Sequence, residues 1–283
     1  MVNFSPLRYP GGKNKTYKYV KYLVNENNVK TYIEPYCGGA AVALNLLING
    51  DVEQIILNDY DRAIYSLWYV ILNDTDKLIS KINDTKFSME EWEKQKAIQK
   101  NKNNEKIFEL GFSTLYLNRT NRSGILTAGP IGGKEQTGNY KMDCRFNKKA
   151  IIEKVLLIAS KKNKITLYNQ DAVVLIKNVI KEMDDSLTFF DPPYYVKGKE
   201  LYSNFYQKTD HIKLSDTIKK YMKDKKWILT YDIHDEIEEL YSNFEHVTYQ
   251  LSYSAGKSKK AKEFMFFSDC TYSGKMEKFL HIV

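Results

Sequence analysis

Cysteine is scarce in this sequence, and the three that occur, Cys37, Cys144 and Cys270, lie far apart. Their spacing excludes a disulfide framework and a paired-thiol metal site, and it fits a reducing compartment. Long apolar runs are missing as well. No stretch approaches the ~18 residues of a membrane-spanning helix, and the opening MVNFSPLRYPGGK lacks the apolar centre of an export signal. The expected setting is the cytoplasm, with no membrane partner and no metal. Two nucleotide motifs also fail in register. Gly11-Gly12-Lys13-Asn14 does not complete G-x-x-x-x-G-K-[ST], which argues against a nucleoside triphosphatase. Gly38-Gly39-Ala40-Ala41 does not complete G-x-G-x-x-G, which argues against a nicotinamide or flavin enzyme.

Apolar and aromatic residues are abundant. Hydrophobic residues make up 43% and aromatics 13% of the 283 positions, enough to build a full core and to exclude wholesale disorder. The length exceeds that of one ordinary compact domain, so a core carrying an insertion is expected. The net charge is +8 and the isoelectric point about 9.0. A basic balance favours a polyanionic partner, because each Lys or Arg that neutralises a phosphate releases counterions. Part of that excess is a compositional bias that also enriches Asn, Ile and Tyr.

Strand, turn and helix alternate at both ends of the chain. Thr31 to Leu47 reads TYIEPYCGGAAVALNLL, a short strand running into Glu34-Pro35-Tyr36, a glycine pair and a helix. Such a turn lets a nucleoside-bearing ligand lie against bare backbone at a helix N-terminus. Gln54 to Ile64 ends a strand at Asn58-Asp59, where doubly wound folds place an acid on ribose hydroxyls; the alternative is that Asp59 caps the following helix. Ile165 to Leu175 repeats the pattern and sets Asp171 after a strand. Between these units the rhythm stops. Helical patterns at Ile64 to Leu72, Met89 to Gln99, Lys106 to Leu117 and Ile151 to Ala159 surround a basic, glycine-rich stretch, Asn118 to Gly138. There and just beyond, Asn118, Arg119, Asn121, Arg122, Lys134, Gln136, Lys141, Arg145 and Asn147 are side-chain types that read base edges in a DNA groove. An ordinary polar surface loop is the alternative.

The most specific stretch is TFFDPPYY, Thr188 to Tyr195. An apolar strand meets Asp191, and Pro192 ends it because proline offers no amide hydrogen to a neighbour. A carboxylate, a rigid carbonyl and an aromatic ring are thereby fixed at a strand's carboxyl end, an arrangement suited to a flat, amino-bearing ring. Beyond it follow an aromatic run (Leu201 to Tyr206), a helix (His211 to Met222), a buried strand (Trp227 to Tyr231), a short helix (Ile237 to Tyr241) and a hairpin at the sheet edge. The hairpin pairs Val247 to Tyr253 with Glu263 to Phe267 around Ala255 to Lys262.

In order, Arg8-Tyr9-Pro10-Gly11-Gly12-Lys13, Glu34-Pro35-Tyr36-Cys37-Gly38-Gly39, Leu57-Asn58-Asp59, a basic helical insertion, Asp171 and Asp191-Pro192-Pro193-Tyr194 resemble the Dam-type DNA adenine N6-methyltransferases. The resemblance spans nearly the whole chain. It implies an α/β fold: a Rossmann-like methyltransferase sheet (1–62 and 161–283), a largely helical target-recognition insertion (63–160) and a C-terminal β-hairpin. It implies S-adenosylmethionine as cofactor, surrounded by Tyr9, Lys13, Glu34, Tyr36, Gly38, Asp59, Asp171 and Asp191. Asp191, Pro192, Pro193 and Tyr194 are then catalytic, gripping a flipped adenine. The partner is double-stranded DNA, contacted through Arg8, Asn118, Arg119, Asn121, Arg122, Lys141 and Arg145. A cognate restriction endonuclease and a monomer or weak dimer are further expectations. Two departures, Pro10 where the family has Ala and Ala40 where it often has Gly, keep the residues small. Residue types separate the competing chemistries. No cysteine follows a proline, as cytosine C5 methylation requires; Ser before Pro-Pro would point to cytosine N4, and Asn to RNA or protein amides. Intact Asp59, Asp191 and Tyr194 argue against a binding module that has lost catalysis.

Overall fold

The computed structural model describes residues 3–8, 13–195, 206–253 and 259–283, without the side chains of 251–253 and 259–260. The sequence readings of Tyr9 to Gly12, of the aromatic run at 201–205 and of the hairpin turn at 254–258 lie outside the described residues. Two compact units are present, one made of Met1–Asn3, Gly11–Tyr60 and Lys164–Val283, the other of Phe4–Pro10 and Asp61–Asn163.

The first unit is an α/β sheet with the order β3-β2-β1-β4-β5-β7-β6-β8. Its strands are β1 (Thr31–Glu34), β2 (Gln54–Asn58), β3 (Ile165–Tyr168), β4 (Ser186–Phe190), β5 (Lys226–Asp232), β6 (His246–Tyr253), β7 (Lys259–Phe267) and β8 (His281–Ile282). Strands β1 to β5 are parallel neighbours, while β7 runs antiparallel between β5 and β6. The chain builds outward from β1 to β2 to β3 and then returns to the other side of β1 for β4 and β5. That reversal puts the carboxyl ends of β1 and β4 side by side at the switch point, where doubly wound sheets open a crevice for ligands. Every residue of β1 and β4 is buried, as expected for central parallel strands covered on both faces. Phe190, Leu214, Ile218, Trp227, Tyr231 and Phe266 pack into one apolar core beneath them.

Numbered along the chain, the helices of this unit are α1 (Tyr17–Glu26), α2 (Ala41–Ile48), α8 (Ala172–Asn178), α9 (Lys208–Tyr221) and α10 (Asp235–Leu240). The hairpin expected at the sheet edge is present, but β8 pairs with the outer side of β6 and takes the edge position. Two residues carry too little periodicity to announce a strand.

The second unit holds α3 (Arg62–Asn73), α4 (Thr75–Asn83), α5 (Met89–Lys100), α6 (Ile107–Thr120) and α7 (Lys148–Ala159). Helix α4 escapes the sequence pattern because it buries only Leu78 and Ile82. Helix α6 is the hub: Leu110, Phe112, Leu115, Tyr116 and Leu117 are fully buried, and its polar positions are satisfied across helices. Thr114 Oγ1 donates to the Ala63 carbonyl at 3.0 Å, and Ser113 Oγ to the Gln95 carbonyl at 2.8 Å. Gly111 permits the close crossing of α3 and α6, since a Cβ there would lie 2.6 Å from the Ser66 carbonyl oxygen and 2.9 Å from Val70 Cγ2. Gly111→Ala improves helix propensity by about 1 kcal/mol. Crowding backbone against backbone costs about 1–3 kcal/mol, so a net loss of stability is expected. Denaturant unfolding of the variant checks the sign.

Candidate active site

Beyond Phe190, the chain turns at Asp191-Pro192-Pro193-Tyr194 on the carboxyl end of β4. Asp191 keeps 25% of its side chain exposed and is held from two directions. Thr230 on the adjacent β5 donates to Oδ1 at 2.8 Å, and Lys13 Nζ lies 2.9 Å from the same oxygen. Both contacts fall on Oδ1, which keeps Oδ2 out of internal pairing among the described residues. Burial, reinforced by the negative charge of Glu263, pushes the Asp191 carboxyl above its usual range, with Lys13 and Thr230 opposing. Lys13 is itself buried in a 3₁₀ turn, Lys13–Thr16, closed by the Thr16 hydroxyl on the Lys13 carbonyl at 2.7 Å.

Tyr194 is fixed by its hydroxyl, which donates to Glu263 Oε1 at 2.8 Å and receives from Lys13 Nζ at 3.2 Å. The backbone beyond is clamped too. Tyr195 N donates to Asp232 Oδ1 at 2.8 Å and its hydroxyl to Glu236 Oε2 at 2.5 Å. The motif that sequence marks as a stiff turn is therefore held by residues of three other segments.

Across the switch point, Glu34 ends β1. Its Oε1 accepts from Ala43 N at 3.1 Å, inside the first turn of α2, a helix that has no side-chain cap of its own. Burial pushes the Glu34 carboxyl up to about 8. Gly38, at φ +43°, donates its amide to Asp59 Oδ2 at 2.9 Å, so the glycine turn and the acid after β2 are joined. Asn58, fully buried, ties three strand ends: its Nδ2 donates to the carbonyls of Pro35 (2.8 Å) and Gln170 (3.0 Å), and its Oδ1 accepts from Gln170 N (2.9 Å). Tyr36 meets Tyr206 through their hydroxyls at 2.8 Å.

Several sequence assignments change here. Asp59 does not cap α3; Asp61 does, accepting from Ala63 N at 2.9 Å. Asp171 caps α8, with Oδ1 accepting from Val173 N at 2.9 Å and Val174 N at 3.4 Å. Lys13, expected beside a cofactor, is engaged with Asp191 and Glu263. Glu263 itself was not among the sequence candidates, because KKAKEF reads as a charged hairpin arm. A signal existed: Glu263 is in phase with the buried Met265 and Phe267 of β7, where alternation calls for an apolar residue.

In the second unit, Asn118 and Asn121 are not presented outward. Both are buried. Asn118 exchanges hydrogen bonds with the Arg8 backbone, at 2.8 Å to its amide and 2.9 Å to its carbonyl, and also donates to the Gly124 carbonyl. Asn121 accepts from Trp92 Nε1 at 2.7 Å and donates to the carbonyls of Ile125 and Leu126. These amides satisfy loop backbone that would otherwise be orphaned. Arg119 donates to the Pro6 carbonyl at 2.6 Å, and burial beside Arg8 lowers its guanidinium to about 10. Arg122, Lys134, Lys141 and Arg145 remain exposed.

The residues at the switch point fit a nucleoside-bearing methyl donor: a small-residue turn, a half-exposed carboxylate after β2, a second carboxylate after β3 and an aromatic ring. An acid, Pro-Pro and an aromatic beside that crevice define an α/β enzyme acting on an exocyclic amine. Residues 9–254 match the D12 class N6 adenine-specific DNA methyltransferases, and the chain belongs to that family. It is 29% identical over 221 residues to Type II methyltransferase M.MjaIII of Methanocaldococcus jannaschii, covering 72% of this chain and 73% of that protein. The solved structure of PH1948 from Pyrococcus horikoshii aligns over 93% of this chain and 85% of its own, with 10% identity and a TM-score of 0.40. No described helix is long and apolar enough to cross a membrane.

Glu34 yields a stability prediction with a definite sign. Its carboxyl moves from the ordinary 4.5 to about 8 on folding, so the folded state holds a proton that the unfolded state releases. The contribution is fully present below 4.5 and is lost as pH rises through about 8. Glu34→Gln keeps an acceptor for Ala43 N without the titration, so its melting temperature is expected to fall less than the parent's across that window. Thermal melts at a series of pH values check this, and parallel curves would contradict it.

Proposed function

We propose that this adenine-specific DNA methyltransferase grips its target base with Asp191, the Pro192 carbonyl and Tyr194, and holds S-adenosylmethionine at the ends of β1, β2 and β3. The observation that carries this reading is that, among the described residues, Asp191 at the sheet's switch point pairs through Oδ1. The N6 lone pair of adenine is conjugated with the ring and attacks poorly. Asp191 Oδ2 and the Pro192 carbonyl accept hydrogen bonds from the amine and localise that pair on nitrogen, while the Tyr194 ring, pinned by its hydroxyl, offers a stacking face. S-adenosylmethionine, when bound, supplies an electrophilic sulfonium methyl, and no covalent enzyme intermediate is needed. Glu34, Tyr36, Gly38 and Asp59 hold it, with Asp59 on the ribose hydroxyls and Asp171 near the adenine. The lining residues contribute chiefly orientation, the largest lever available when both reactants are already competent.

The target base inside a duplex must swing out, at a cost of about a few kcal/mol. Contacts from the second unit offset it. Arg122, Lys141 and Arg145 are the exposed members of the sequence's DNA set, with Arg8 and Arg119 partly buried behind the loop. Likeness to a Type II methyltransferase supports a cognate restriction endonuclease as partner, and the enzyme is taken to act as a monomer or weak dimer.

Asp191→Ala is expected to abolish methyl transfer to duplex DNA while leaving the fold intact by circular dichroism. Near-normal incorporation of labelled methyl by that variant would overturn the reading. Arg122→Ala is expected to weaken DNA binding and to lower the salt slope by about 1 if it contacts a phosphate. Asn121→Ala, in contrast, is expected to cost about 1–3 kcal/mol of stability through unpaired buried groups. Binding isotherms at several salt concentrations and denaturant melts separate the two effects.

A further inference from the structure

We propose that Glu263, on β7, is a positioning residue for methyl transfer, acting through Lys13 and Tyr194. This rests on the reading of Asp191 and Tyr194 given above. Glu263 is 2% exposed and lies opposite Asp232 of β5 and Tyr249 of β6 in the sheet register. Its carboxylate gathers donors from three segments. Tyr194 donates to Oε1 at 2.8 Å, Tyr249 to Oε2 at 2.5 Å, and Lys13 Nζ stands 3.3 Å from Oε2 and 3.5 Å from Oε1. The same ammonium is 2.9 Å from Asp191 Oδ1.

Two functions follow from this geometry. Stacking on a base needs a ring but no hydroxyl; the hydroxyl at position 194 has Glu263 as its acceptor, and the bond sets the ring's angle. Lys13, lying between two carboxylates, shares its charge between them. With Glu263 absent, more of the ammonium's charge would fall on Asp191 and weaken that carboxylate as an acceptor for the amine. Glu263 instead raises the proton affinity of Asp191 by its own negative charge. The other groups around Asp191 are Glu34 from β1, Tyr32 from β1 and Tyr231 from β5, all coupled to it through space, and Thr230 as its hydrogen-bond donor. Removing one member of a buried ion network costs stability as well, so the pH profile and the kcat-against-KM split are what separate a positioning role from a structural one.

The test uses the full-length enzyme, duplex DNA and S-adenosylmethionine. Glu263→Gln keeps a carbonyl acceptor for one phenol, turns an amide donor toward the other, and no longer offsets the charge of Lys13. The expected result is a kcat lower by about tenfold to a hundredfold with a smaller change in KM, and an acid limb of the kcat profile moved to lower pH, since Asp191 loses a negative neighbour. Tyr194→Phe removes the anchored hydroxyl alone and is expected to lower kcat without moving that limb as far. The double variant should lose less than the product of the two single losses, because both act on one network. Wild-type kcat and an unmoved acid limb in Glu263→Gln, with Asp191→Ala inactive, would overturn the role of Glu263 alone; an active Asp191→Ala would instead overturn the underlying assignment. If Glu263→Gln does not fold, Tyr194→Phe decides: wild-type kcat there rejects the proposal.

Discussion

One buried ammonium holds the proposed reaction centre together. Lys13 sits between Asp191 and Glu263 at hydrogen-bonding distance from both, and without it two carboxylates would face each other in a poorly solvated interior. Repulsion of that kind would be relieved by protonation of one acid, which would cost Asp191 its capacity as an acceptor. The lysine removes the conflict, and the price is a second carboxylate that must itself be satisfied by two phenols. The architecture of the crevice, down to the choice of tyrosine over phenylalanine at 194, answers that electrostatic demand.

Around this point the sheet does the coarse alignment. Asn58 fastens the ends of β1, β2 and β3 to one another through three hydrogen bonds, while Thr230 and Asp232 on β5 catch Asp191 and the backbone of Tyr195. Rigid strand ends thus deliver loops whose side chains need little further ordering. Glu34, kept protonated by burial up to about 8, braces the start of α2 where no capping side chain is present.

Much of the sheet and of the turn at Asp191 to Tyr194 was legible in the sequence because those features are local. An apolar run halted by Pro192 and Pro193 announces a strand end without reference to anything distant, and Gly38-Gly39 before an apolar helix announces a strand, turn, helix unit. Glu263 was hard to read for the opposite reason: its partners are Lys13, Tyr194 and Tyr249, all distant in sequence, and a neighbouring run of lysines masks its phase with the buried Met265 and Phe267. Asn118 and Asn121 misled in another way. Amide side chains suit adenine edges and loop carbonyls equally well, and only the buried Trp92 indole and the Ile125 and Leu126 carbonyls show which use prevails. Helix α4, which buries only Leu78 and Ile82, and the two-residue strand β8 each bury too few apolar residues to set a period.

Lys13 and Glu263 are separated by 250 positions along the chain. A nascent polypeptide can fold β1 to β5 and assemble the glycine turn while the ribosome is still translating, yet the pair that balances Asp191 comes into being only when β7 has emerged and inserted beside β5. Such a contact, among the most non-local in the molecule, closes late because its loop entropy is the last to be repaid. Truncated products ending before β7 would therefore carry the glycine turn and the Lys13–Asp191 pair without the second carboxylate.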